Sequence, residues 1–80
     1  MLNDGSLNIR QLQVFEAVAR LESYSRAQQE LGISVSAISN AMSQLEGRLG
    51  FSLCQRGRGG FALTEKGQQF LQQAIRVLSE

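Results

Sequence analysis

Ser36, Ser39, Asn40 and Ser43 follow one another at intervals of three, one and three residues. That spacing gathers short hydroxyl and carboxamide groups on one side of an α-helix. Such groups donate and accept hydrogen bonds at close range. Asn40 holds the paired donor and acceptor that bridge N6 and N7 of adenine, and a pair of that kind discriminates bases by about 1–3 kcal/mol. Ser36, Asn40, Ser43 and Gly47 lie opposite an apolar stripe of Ile38, Met42, Leu45 and Leu49, with Ser39 at the flank. An ordinary solvated face carries Lys, Glu and Arg, whereas this one is nearly uncharged. Serine is also a mediocre helix former. Ser34 is explained as a helix cap, but Ser36, Ser39 and Ser43 are not. Two readings stand at this point: a face that presses on hydrogen-bonding edges, with the DNA major groove the leading candidate, or a surface helix that happens to be serine-rich.

The elements that position this face follow from caps and breakers. Asn8 can cap a first helix, with Gln11 in the capping-box position and Ile9, Leu12, Phe15, Val18 and Ala19 as its core stripe to about Leu21. Ser25 is a second N-cap, with Gln28 three residues on, for a short helix over 26–31 that turns Ala27 and Leu31 inward. Gly32 ends it, Ser34 caps the next helix, and Gly50 stops that one after Leu49. Residues 23–50 therefore read as two short helices joined by a three-residue turn, Gly-Ile-Ser.

The pattern then changes. The runs 51–55 and 61–63 alternate loosely around Arg56-Gly57-Arg58-Gly59-Gly60 and read as a β-hairpin. Thr64 caps a last helix, with Glu65 in its first turn. In that helix Phe70, Leu71, Ala74, Ile75, Val77 and Leu78 cover an arc of roughly 160°, wider than the ~100° that one core needs. Either a tiny domain closes its own core with it, or part of the arc meets a second subunit. The pattern is still running at Glu80, so the expectation is a truncated helix.

Composition removes several classes. Eighty residues allow one domain. There is no His, and the single cysteine, Cys54, forms no internal disulfide; no zinc site is expected. Cys54 reads as a small buried hydrophobe on the inward side of the first strand, and Tyr24 as a core plug. No catalytic residues are expected, since no base stands ready to activate a nucleophile. The Gly-rich loop lacks the GK[ST] of a phosphate cradle and reads as a hairpin tip. No run approaches the roughly 20 apolar residues of a membrane span, and no signal peptide opens the chain. The net charge is only +1, though residues 33–63 hold Arg48, Arg56 and Arg58 against one acid, Glu46.

A wider pattern is also present. Ile9-Arg10-Gln11-Leu12, Phe15, Val18-Ala19, Ser23-Tyr24-Ser25-Arg26-Ala27, Leu31, Ile33-Ser34, Ala37-Ile38-Ser39, Gln44-Leu45-Glu46, Leu49-Gly50, Leu53, Arg56, Gly60, Leu63-Thr64-Glu65 and Gly67 together resemble the LysR-type transcriptional regulators. The likeness covers nearly everything after residue 7. It implies a mainly α fold with a small β-hairpin, a winged helix-turn-helix followed by a linker helix that pairs two subunits. By position, Val35, Ser36, Ser39, Asn40 and Ser43 would face bases. Ser25 and Arg26 would touch phosphate, and Arg56 matches the wing arginine, with Arg58 beside it. Phe70, Leu71, Ala74, Ile75 and Leu78 would serve dimerisation. Departures are plain: Ser36 stands where the family often has Pro and Asn40 where it often has Arg, so base preference is not inherited. The second wing arginine stands at Arg58, one residue before its common place at Gly59, and Ala27 is followed by Gln28 rather than a second small residue.

The expectation is thus a flexible leader at 1–7, a DNA-binding domain at 8–63 and a linker helix at 64–80, without the effector domain. Its partners would be double-stranded DNA and a second copy, as a homodimer or higher homo-oligomer. A small-molecule effector is expected only for the missing C-terminal part. No cofactor, metal or membrane is expected, and the location is the bacterial cytoplasm. The competing readings are a winged helix that docks a protein, which an apolar exposed face on helix 35–49 would favour, and a small esterase or transferase, which lacks its base.

Overall fold

The computed structural model describes residues 8–57 and 60–79, with backbone alone at 56 and 57. The order is α1 (Ile9–Leu21), α2 (Tyr24–Leu31), α3 (Val35–Leu49), β1 (Cys54–Gly57), β2 (Gly60–Leu63) and α4 (Glu65–Ser79). The architecture is the expected one, four helices and a two-stranded antiparallel hairpin. The expected leader at 1–7 lies outside the described residues.

Asn8 caps α1, its Oδ1 accepting from the Arg10 N–H at 2.7 Å. The capping box does not form. Gln11 is only 6 % exposed and donates its amide to Gln44 Oε1 of α3 at 3.0 Å instead. Helix α1 packs against α2, α3 and α4, so it buries a wide arc: Leu12, Val14, Phe15, Ala17, Val18 and Ala19. Ile9, expected inside, is half exposed, because it precedes that packed stretch.

The cap of α2 is Ser23, not Ser25. Ser23 Oγ accepts from the Arg26 N–H at 3.1 Å, and the helix starts two residues earlier than the sequence reading. This start puts Tyr24 inside the helix, half-buried, with its hydroxyl 4.0 Å from Cys54 Sγ. Gly32 and Gly50 end α2 and α3 in the left-handed region, at φ 71° and 82°. Ser34 Oγ caps α3 through the Ala37 N–H at 3.0 Å. Arg20 of α1 clamps Glu16 on its own helix at 2.9 Å and Glu30 of α2 through Nη1 at 3.1 Å.

The core is continuous across all four helices. Phe15, Val18, Ile38, Met42, Leu45 and Leu53 are fully buried or nearly so. Phe70 of α4 tilts against Phe15, ring centroids 5.7 Å apart, and Ala74 is 1 % exposed. So α4 does close this small core, and Phe70 and Ala74, expected at a subunit interface, are buried within the chain itself. Ile75 and Val77 stay 42 % and 46 % exposed, with Leu71 and Leu78 half-buried. No helix among the described residues is long and apolar enough to cross a membrane.

Candidate nucleic-acid interface

Two faces of α3 divide as the sequence pattern requires. Ile38, Met42 and Leu45 are sealed in the core, while Ser36, Ser39, Asn40 and Ser43 are all exposed. Burial of the stripe fixes the rotation of the helix about its axis, which leaves the hydrogen-bonding side chains no course but outward. Val35, in the first turn, is 38 % exposed and offers a small apolar surface beside them. No acidic residue occupies the first turn of α2 or α3, so the positive end of each helix dipole is uncompensated by a carboxylate. Ser25 and Arg26, in the first turn of α2, are exposed, and Gln28 faces outward as well.

The hairpin is shifted from its sequence reading. The strands run 54–57 and 60–63 rather than 51–55 and 61–63, with Cys54 opposite Leu63 and Gly57 opposite Gly60. The reason lies at Leu53. Its N–H goes to the Glu46 carboxylate of α3 at 2.8 Å, and its carbonyl accepts from the Thr64 N–H at 3.0 Å. Leu53 falls opposite Thr64 in the hairpin's register, and the bond to its carbonyl keeps that register, but its N–H is diverted to Glu46 while the Thr64 carbonyl accepts from the Gln68 N–H at 2.9 Å, so regular pairing begins at Cys54 and reaches further towards the tip. Cys54 is half-buried rather than enclosed. Arg56 stands on β1 opposite Phe61; Arg58 lies outside the described residues.

The base of the hairpin is also tied to α4. Thr64 Oγ1 donates to the Ser52 carbonyl at 2.7 Å and accepts from the Gly67 N–H at 2.9 Å, which is the cap the sequence predicts. Gly67 is buried against Leu53. Local sequence pattern assigns no task to Glu46 or Gly67. A glycine in the first turn of an otherwise favourable helix was the available signal for close backbone approach.

Residues 9–68 match the model of the bacterial regulatory helix-turn-helix proteins of the lysR family. The chain belongs to the LysR family. It is 52% identical over 62 residues to the HTH-type transcriptional activator BauR of Pseudomonas aeruginosa, covering 78% of this chain and 20% of BauR. It is 43% identical over 75 residues to the HTH-type transcriptional regulator CfxR of Cupriavidus necator, covering 94% and 24%. The chain thus spans about a fifth to a quarter of the length of these curated LysR relatives. Among solved structures, the CbnR_DBD–DNA complex superposes with a TM-score of 0.86 at 37% identity, over 91% of this chain and 84% of that one. The BenM_DBD complex with catB site 1 DNA gives 0.87 at 34% identity, over 91% and 82%. The winged helix-turn-helix of the LysR DNA-binding domains is the fold described above.

Proposed function

We propose that this LysR-family chain binds duplex DNA sequence-specifically as the N-terminal domain of a transcriptional regulator, with no enzymatic role of its own. One observation carries the reading: α3 buries its aliphatic stripe and turns Ser36, Ser39, Asn40 and Ser43 to solvent. A helix fits the major groove, and its N-terminal residues reach base edges. Asn40 reads a base, Val35 takes an apolar contact, and the serines hydrogen-bond. Ser25 and Arg26 hold phosphate at the start of α2, while Arg56 and Arg58 of the wing contact the backbone or the minor groove. CbnR and BenM domains of the same fold were crystallised with DNA. A protein-docking face would be apolar, and on the outward side of α3 only Val35 is.

Pairing of two copies goes through α4. With Phe70 and Ala74 in the core, a partner meets Leu71, Ile75 and Leu78. Two domains on one face of the duplex then engage half-sites about 34–36 Å apart or a multiple of that. The rest of the regulator would carry any effector site, and the working compartment is the bacterial cytoplasm.

The test is selection from a randomised duplex pool, followed by binding across a salt series. The reading predicts enrichment of a discrete sequence and a linear fall of log affinity with log salt. No enrichment and no salt dependence would contradict it.

A further inference from the structure

The backbone of Leu53 is held on two sides. Its N–H meets the Glu46 carboxylate of α3 at 2.8 Å, and its carbonyl meets the Thr64 N–H at the start of α4 at 3.0 Å. β1 begins at the next residue, and Arg56 follows on it. Glu46 is therefore a side-chain tether from the base-facing helix to the entry of the wing. Resting on the DNA-binding reading above, we propose that Glu46 is a positioning residue that sets the wing's angle to α3 and so its grip on phosphate.

The geometry separates this role from simple stabilisation. Leu53 is 0 % exposed, and Thr64 binds both Ser52 and Leu53 by main chain and hydroxyl. These anchors keep the wing attached to the domain without Glu46. What Glu46 adds is a fixed relation between the wing and the one helix that faces bases. Its loss loosens the wing's aim, while the α3 face, set by Ile38, Met42 and Leu45, stays where it is.

The experiment uses a duplex enriched from a random pool by the unmodified chain and a scrambled duplex of the same composition. Glu46→Ala removes the acceptor. Glu46→Asp keeps the charge but draws the carboxylate back by one methylene. Glu46→Gln drops the charge but keeps an acceptor at full reach. For alanine and aspartate alike the salt slope falls by about 0.9, the value of one phosphate contact. The affinity lost between about 50 and 200 mM salt accordingly shrinks by about 3-fold. The ratio of selected to scrambled affinity is unchanged, and glutamine restores the slope. Aspartate gives the answer should alanine unfold the chain. A folded Glu46→Asp chain with the unmodified slope overturns the proposal, as does a lost affinity ratio with the slope intact, which would place Glu46 in support of α3 alone. If the unmodified chain shows neither selection nor slope, the DNA-binding reading itself fails and this inference with it.

Discussion

A β-carbon on Gly67 would stand 2.0 Å from the carbonyl oxygen of Leu53 and 3.1 Å from Thr64 Oγ1. The first turn of α4 thus rests directly on the backbone that enters the wing. In an open helix Gly→Ala gains about 1 kcal/mol from propensity. Here the obstacle is backbone, which cannot swing aside as a side-chain tip does, so the clash decides the sign. Gly67→Ala is expected to cost about 3 kcal/mol, or on the order of 10–20 °C in Tm for a domain of this size. Thermal denaturation measures it; a Tm equal to or above that of the unmodified chain would show that α4 does not approach Leu53 so closely.

Glu22 ends α1 in the left-handed region at φ 55° and ψ 36°, the conformation that L residues adopt at a cost and glycine adopts freely. Its backbone N–H accepts no compromise there, since it caps the helix by donating to Val18 O at 2.8 Å. Glu22→Gly should stabilise the chain by about 0.5–1 kcal/mol. A Tm a few degrees higher is the expected outcome, and a fall in Tm would contradict the cap geometry.

The Arg20 guanidinium reaches from α1 to Glu30 of α2, and its hydrogen bond holds the Glu30 carboxyl below its ordinary value of 4.5. A carboxylate whose pKa is lowered by folding contributes stability that is present above its unfolded pKa and lost as pH falls through the folded one. The side chains are 46 % and 43 % exposed, so the effect is small and screened by salt. Glu30→Gln should lower Tm at neutral pH, and the difference from the unmodified chain should shrink as pH falls below 4.5 and vanish once the carboxyl is protonated in the folded chain too. A difference that persists in acid would mean that charge is not its origin.

Much of this molecule is legible in its sequence because local signals agree with tertiary ones. The α3 stripe of Ile38, Met42, Leu45 and Leu49 and the caps Asn8, Ser34 and Thr64 needed no distant partner to be recognised. Two of the departures involve groups satisfied from far along the chain. Gln11 looked like a capping residue and is taken by Gln44. Leu53 reads as strand, but its N–H is taken by Glu46 of α3. Ser25 reads as the cap of α2 but Ser23 serves instead, and the earlier start brings Tyr24 into the helix with its hydroxyl beside Cys54. The wide arc of α4 admitted two uses, and only the packing of Phe70 on Phe15 assigns half of it to the core. Helical spacing alone picks out Ser36, Ser39, Asn40 and Ser43 as the hydrogen-bonding face, and family likeness adds Val35 beside them and the expected phosphate contacts of Ser25 and Arg26.

On the DNA-binding proposal the outward face of α3 reads bases, and Asn40 is its sharpest point. The decisive measurement compares affinity for the selected duplex, its single-base variants and a scrambled duplex, for the unmodified chain and Asn40→Ala. A bidentate amide is expected to contribute about 1–3 kcal/mol of discrimination at one base pair. The substitution should therefore erase the preference at that position, weaken the selected duplex, and leave scrambled DNA and the salt slope unchanged. Equal weakening on selected and scrambled DNA, or full retention of preference at every position, would show that Asn40 does not read a base.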